Sequence, residues 1–286
     1  MKFEYLTKKS IHKFIDSALK EDIGDGDHTT LASIPDGLEQ EAKITAKSEG
    51  TLAGVELGQW IFERLDSSLQ IVPLKEDGNH VEEGEEVLRI QGRARSILSA
   101  ERLVLNCMQR MSGIATSTEK MSQLIRHTSA KLLDTRKTTP NFRLCEKWAI
   151  KIGGGENHRF GLFDMILLKD NHIDYAGGIK KAVASTKKYL KSEGKDLKIE
   201  VETRNLAEVK DALDAGGVDV IMLDNMLPSA MEEAIQLING RCLTEASGGI
   251  TEKNIKDIAE TGVDFISVGS LTHSYQSMDL SLTAVK

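Results

Sequence analysis

The sequence predicts an α/β protein in two parts: an N-terminal α+β domain with a small antiparallel sheet, then strand–helix units that close toward a barrel. Three observations predict it. Up to residue 92, short strand-like segments alternate with glycines beside helical patterns. After residue 130, apolar β-branched runs alternate with helical patterns, at 131–136, 164–169, 197–202, 218–224, 242–247 and 263–269. The last four runs recur roughly every twenty-two residues, the length of one compact βα unit. Such alternation means a parallel sheet with right-handed crossovers. About six strands are visible, fewer than a closed eight-stranded barrel needs.

Residues 7–22 read as a helix, with Thr7 or Ser10 as its cap and Ile11, Phe14, Ile15, Ala18 and Leu19 at helical spacing. Glu21 to Thr30 holds four acids and two glycines, but lacks the downstream Glu of an EF-hand, so a structured turn is expected. Residues 42–46 and 70–72 alternate as strands, 55–65 is helical, and 81–92 is two short strands around a glycine turn. A long helix is expected over 96–111, ended or broken at Ser112-Gly113, with another from Ser117 to Thr128. Taken alone, Arg102 in that helix suggests an intrahelical or interdomain ion pair. Later helices are expected at 205–215, 229–238 and 251–261, with Gly216 and Gly262 as C-caps.

The 286 residues allow one large or two modest domains, and 40% hydrophobic with 28% charged residues is an ordinary balance. No apolar run reaches membrane-spanning length, and MKFEYLTKKSIHKF lacks the apolar core of a signal peptide. Cys107, Cys145 and Cys242 have no C-x-x-C spacing, so reduced structural thiols in a cytoplasmic protein are expected. A net charge of −7 and the lack of a basic cluster argue against nucleic acid.

In parallel barrels the pocket lies at the C-terminal ends of the strands. Here those ends carry Asp134, Arg136 and Lys137; Lys169 and Asp170; Glu202; Asp224 and Asn225; Ser247-Gly248-Gly249; and Gly269-Ser270. The stretch 134–172 holds seven Lys and Arg against five Asp and Glu, in an acidic chain. Arg136, Lys137, Arg159 and Lys169 make a multi-cation set suited to a polyanionic ligand, arginine gripping carboxylates and lysine meeting phosphate. Glu202 and Asp224 suit Mg²⁺ better than acid–base work beside a phosphate. The late-strand glycines can bring backbone N–H groups to a phosphate. His158 and His172 are open between ligand, base and structural roles, and Gly153-Gly154-Gly155 between close ligand approach and a mobile loop. The residues alone point to a phosphorylated sugar, a small carboxylated partner and a divalent metal.

The motifs DTRKTTP, GGGENHR and LLKDNH, with AERL at 100–103, EVE at 200–202, MLDN at 222–225, EASGGI at 245–250 and GSLTHS at 269–274, resemble the quinolinate phosphoribosyltransferases (nicotinate-nucleotide pyrophosphorylases) over nearly the whole chain. The resemblance implies an open α/β barrel of about six or seven parallel strands. It divides the chain into 1–114 and 115–274, with 275–286 free to rejoin the first part. The implied reaction is transfer of phosphoribose from phosphoribosyl pyrophosphate to quinolinate, releasing pyrophosphate and CO₂ and giving nicotinate mononucleotide for NAD synthesis.

Carried over residue by residue, the resemblance implies that Arg136, His158 and Arg159 hold the quinolinate carboxylates, with Thr135 among the substrate contacts. Arg102 would come from the partner subunit of a homodimer. Lys137 and Lys169 would meet phosphoryl oxygens or substrate charge, and Glu202 and Asp224 would sit at the ribose and magnesium. These four are the expected catalytic residues. Ser247, Gly248, Gly249, Val268, Gly269 and Ser270 would bind the 5′-phosphate, with His273 nearby. Asn141 departs from the family's usual Gly and Ser270 from its common Ala; neither removes a charge. The competing readings are a related phosphoribosyltransferase with another acceptor, a Lys169 Schiff-base aldolase and a non-catalytic sugar-phosphate binder.

Overall fold

In the computed structural model, which describes residues 5–285, the chain forms two units whose segments alternate along the sequence. The first holds the chain up to Glu119, then Thr138–Gly154, then the chain from Leu271 on; the second holds Lys120–Lys137 and Gly155–Ser270.

In the first unit the helix Lys8–Ile23 starts at a capping box: the Ser10 N–H donates to Thr7 Oγ1 and the Thr7 N–H to Ser10 Oγ, both at 3.0 Å. Its periodic face buries Ile11, Ile15 and Leu19. The acidic turn that follows uses Asp27 as the N-cap of the helix His28–Ser33. The antiparallel sheet has the order Leu280–Ala284, Glu39–Ala46, Glu86–Arg93, Gln70–Pro73, so residues near the C-terminus supply its edge strand. The expected helix 55–65 is Val55–Leu65.

One expectation fails here. Instead of stopping at Ser112-Gly113, the helix runs unbroken from Ala94 to Ile125, absorbing the second helix predicted after it. The boundary expected at 114/115 therefore falls inside a continuous helix. Gly113 is not a breaker: a Cβ there would overlap the carbonyl of Gln276, so the glycine permits close backbone approach. Ser112 is likewise engaged, its hydroxyl accepting from the Ala53 N–H at 2.9 Å. The segment Thr138–Gly154, read from sequence as part of the barrel, lies in the first unit and carries the helix Arg143–Ile152. There Arg110 donates to the wholly buried Glu146 from Nε at 3.2 Å and Nη2 at 2.8 Å. The same guanidinium lies 5.2 Å from the Phe142 ring centre and 5.0 Å from that of Tyr275.

The second unit is a six-stranded parallel sheet in the order Lys131–Leu133, Phe265–Ser267, Leu243–Ser247, Val220–Asp224, Ile199–Thr203, Ile166–Leu168. The two outer strands do not pair with each other, so the sheet stays open. The free side of Lys131–Leu133 is met by a bridge from Leu133 to Glu156. Helices follow the strands: Asp170–Ala176, Ile179–Glu193, Leu206–Ala215, Pro228–Ile238 and Ile255–Glu260. Asn205 caps the third of these by accepting from the Glu208 N–H, and Gly216 ends it at φ 63°.

Register decides what faces what. Glu200 stands opposite Leu167 and Val220, Glu202 and Glu245 both stand opposite Met222, and Ser247 stands opposite Asp224. In a strand, residues two apart share a face. Glu200, Glu202, Asp224, Glu245 and Ser247 therefore share one face of the sheet, with Ser267 in register beside them.

Candidate active site

At the ends of three neighbouring strands the structure gathers Lys169, Glu202 and Asp224. Burial and the nearby Asp224 charge hold the Glu202 carboxyl above its ordinary range, while the Asp170 N–H and Lys169 pull it back. The Asp170 N–H lies 3.4 Å from Glu202 Oε1. Asp224 is fixed by the Asn225 amide, which donates to Oδ2 at 2.7 Å. Two carboxylates that repel each other beside a lysine are a hard-oxygen donor set, and they fit a divalent cation such as Mg²⁺. Lys169 itself is exposed.

The second group is built on the segment Glu156–Arg159, which runs beside the strand Lys131–Leu133. Asp134, wholly buried, accepts from the His158 N–H at 2.9 Å and from the Asn157 side chain at 2.6 Å. It is thus a brace for this segment rather than a pocket-lining anion. Arg159 donates to the Met165 carbonyl at 3.2 Å. Burial and the positive charge of Arg136 both lower the Arg159 pKa, so these two guanidinium groups are close enough to repel. Glu200 and Asp164 offset part of that effect on Arg159, and a dianion could bridge the pair.

The His158 side chain is buried, and both ring nitrogens have protein partners. Nδ1 accepts from the Arg159 N–H at 2.7 Å. Nε2 lies 2.9 Å from Glu200 Oε2 and 3.5 Å from Glu245 Oε2. The ring is therefore directed inward, beneath Arg159. Burial pushes the Glu200 carboxyl up to about 7 and the Glu245 carboxyl to about 8, the latter raised further by the charge of Glu200. The three side chains offer one ligand atom each within 4.8 Å of one another. Sequence reasoning quoted Glu200 and Glu245 within motifs but gave them no role. The signal was present: each lies two residues before a site residue on the same strand, Glu202 or Ser247, and so on the same face.

The glycine loops take shape from their neighbours. Asn225, at φ 54°, packs so tightly on Gly248 that a Cβ would overlap its side-chain amide, and Gly248 itself has φ 93°. The Asn225 N–H donates to the Ser247 carbonyl at 2.8 Å, tying this loop to the end of the Asp224 strand. Val268 joins the first strand through its N–H to the Leu133 carbonyl at 3.0 Å, and Gly269-Ser270 follow directly. Thr135 accepts from the Lys137 N–H at 3.0 Å, which turns the chain after the first strand end; Lys137 is exposed.

Three other residues singled out from the sequence are His172, Arg102 and His273. His172 caps its helix, Nδ1 accepting from the Lys169 N–H at 3.0 Å. Arg102 and His273 belong to the first unit. Arg102 is exposed and has no ion-pair partner among the described residues, so the helix ion pair is not formed. The departure at Asn141 has a physical reason: its backbone is left-handed at φ 63°, a conformation that glycine favours and asparagine tolerates.

Comparison with known proteins places this arrangement. Residues 27–112 match the family model described as quinolinate phosphoribosyl transferase, N-terminal domain, and residues 114–283 match its C-terminal domain. The chain is 48% identical over 283 residues to the chloroplastic nicotinate-nucleotide pyrophosphorylase (carboxylating) of Oryza sativa subsp. japonica, covering 94% of this chain and 76% of that one. It is 43% identical over 272 residues to the probable nicotinate-nucleotide pyrophosphorylase (carboxylating) of Bacillus subtilis (strain 168), covering 95% and 92%. Among solved structures, the nicotinate-nucleotide pyrophosphorylase from Francisella tularensis superposes with a TM-score of 0.90 at 40% identity, over 98% of each chain.

Proposed function

The chain belongs to the quinolinate phosphoribosyltransferase family, and from that membership we propose how its residues divide the family's reaction among them. The enzyme transfers phosphoribose from phosphoribosyl pyrophosphate to quinolinate, releasing pyrophosphate and CO₂, and yields nicotinate mononucleotide for NAD synthesis.

In our reading Arg136 and Arg159 grip the two quinolinate carboxylates, with His158 at the floor and Thr135 shaping the loop. The observation that carries this is the proximity of two part-buried guanidinium groups, which a dicarboxylate can bridge. Lys137 and Lys169 face the phosphoryl oxygens. Ser247, Gly248, Gly249, Val268, Gly269 and Ser270 receive the 5′-phosphate through backbone N–H groups. Glu202 and Asp224 lie beside the ribose and would hold Mg²⁺, which when bound supplies positive charge to the departing pyrophosphate. The anomeric C–O bond breaks with oxocarbenium character, stabilised by the two carboxylates, while the pyridine nitrogen forms the new bond. The ring is then cationic. When the neighbouring C–CO₂⁻ bond breaks, its electron pair stays on the ring carbon, CO₂ leaves, and that carbon takes up a proton. No protein nucleophile is needed.

The reading also makes the enzyme a homodimer in which Arg102 of each subunit completes the other's site. It is supported by the exposed Arg102 and by large apolar side chains left open on the second unit: Leu162, Phe163, Tyr175 and Leu227, each at least 68% exposed. No helix among the described residues is long and apolar enough to cross a membrane, and all three cysteines are free. We place the enzyme in the cytoplasm, whereas the rice relative is named as chloroplastic. Cell fractionation tests that placement.

The assay for the whole reading mixes protein, phosphoribosyl pyrophosphate, quinolinate and Mg²⁺, and measures nicotinate mononucleotide and CO₂. Equal yields from quinolinate, none from nicotinate, and loss of both in Arg136→Ala are expected. Folded protein that forms no product from quinolinate would overturn it.

A further inference from the structure

We propose that Glu200 and Glu245 are positioning residues for the carboxylate-binding arginine, acting through the His158 ring. The inference rests on the reading of Arg159 as a quinolinate ligand. Its basis is a chain of contacts on one face of the parallel sheet. Glu200 and Glu245 are each 1% exposed, and they bring their Oε2 atoms to 2.9 Å and 3.5 Å from His158 Nε2. The ring's other nitrogen accepts the Arg159 N–H at 2.7 Å. The imidazole is thus held from below by two strands and in turn holds the backbone of Arg159 from beneath.

The hydrogen-bond sense identifies what occupies the gap between ring and carboxyls. A neutral imidazole carries one ring proton, and a nitrogen that accepts an N–H cannot carry it. With Nδ1 accepting, the ring proton stays on Nε2, the nitrogen that lies 2.9 Å from Glu200 Oε2 and 3.5 Å from Glu245 Oε2. A metal ion would have to displace it, although the three side chains have the donor types of a transition-metal site. A ring proton, and not a metal, therefore lies on the carboxyl side of the imidazole. Asp134, which anchors the His158 N–H at 2.9 Å, completes the support from the first strand. Shifting the ring by about 1 Å would misplace the Arg159 guanidinium, an error that costs on the order of 100-fold where geometry is decisive.

The test compares Glu245→Ala, Glu245→Gln and Glu200→Gln with wild type, using the Kd for quinolinate by calorimetry and both KM values by turnover. Glu245→Ala should weaken quinolinate about 10- to 100-fold and leave the KM for phosphoribosyl pyrophosphate unchanged. Glu245→Gln keeps an oxygen facing Nε2 and should recover to within a few-fold; Glu200→Gln should behave likewise. An unchanged quinolinate Kd in folded Glu245→Ala overturns the proposal. So does an equal loss for both substrates, which a merely structural role would give. A rise in thermal midpoint with Zn²⁺ alone that Glu245→Gln abolishes also overturns it, in favour of a metal. If wild type binds quinolinate but does not turn it over, the proposed reaction falls, and the Kd series still decides the role of Glu245.

Discussion

Replacing Arg110 with methionine tests how the segment after the Arg136-Lys137 motif is held. Glu146 is wholly buried, and two of its contacts come from the Arg110 guanidinium, at 2.8 and 3.2 Å on Oε1. The Thr139 N–H, at 3.0 Å on Oε2, is what remains after the change. Removing one partner of a buried pair costs about 3–5 kcal/mol, because the other charge is left without compensation. The Arg110 side chain is 31% exposed, so water can partly replace it and the lower end applies. Loss of its stacking on Phe142 and Tyr275 adds about 0.5–1 kcal/mol each. A net loss of about 4–5 kcal/mol should lower the thermal midpoint by about 8 °C or more. Glu146→Gln in the same background removes the stranded charge and should recover about half of that. Scanning calorimetry of the two single variants and the double variant gives the coupling. If Arg110→Met melts within about 2 °C of wild type, or the double variant is worse than Arg110→Met, the buried-charge argument is wrong.

Three other outcomes follow from the site. On the proposed homodimer, mixing Arg102→Ala and Arg136→Ala subunits, each expected to be inactive alone, should restore roughly a quarter of wild-type activity, since half of randomly paired dimers would be hybrids with one intact site each; no recovery after verified exchange counts against a shared site. Asp224→Asn should raise the Mg²⁺ concentration needed for half-maximal rate by about 10-fold or more, and an unchanged titration would remove Asp224 from the metal. Glu245 and Glu200 hold protons in the folded chain up to about 8 and about 7, against an ordinary 4.5, so the unfolded chain releases them first. Their contribution to stability is full below the unfolded value and is lost as pH rises through the folded values, at about 1.4 kcal/mol per pH unit for each retained proton. Thermal midpoints measured from about pH 5.5 to 8.5 should fall, with a shallower slope in Glu245→Gln; equal slopes would contradict the assignment.

Much of this was legible because the relevant patterns are short-range. Period-two alternation marked two strands of the antiparallel sheet, apolar β-branched runs marked the parallel ones, and helical spacing placed Val55–Leu65 at its observed ends. The strand-end rule located Lys169, Glu202, Asp224 and Ser247, because each stands where an apolar strand run gives way to polar residues. What stayed hidden depends on partners distant in sequence. Gly113 looks like a helix breaker until Gln276 is seen against it. Asp134 looks like a pocket anion until the His158 N–H and the Asn157 amide are found on it. Glu146 and Arg110 sit in helices whose own patterns predict no contact between them. His158 was assigned to the substrate by resemblance, and only the geometry shows its ring turned toward two buried carboxyls.

The edge strand Leu280–Ala284 sets a clock for the first unit. Its partner, Glu39–Ala46, leaves the ribosome early, but the pairing Ala46 to Leu280 waits until almost everything between has been made. Until then one side of Glu39–Ala46 exposes unpaired N–H and C=O groups, the kind of edge on which chains aggregate. The parallel strands of the second unit lie within Lys131–Ser267 and can pair in the meantime. The sheet that contains Glu39–Ala46 therefore cannot be complete before residue 284 has been made. A chain stalled before residue 280 would carry an open β edge, which makes it a natural client for a chaperone.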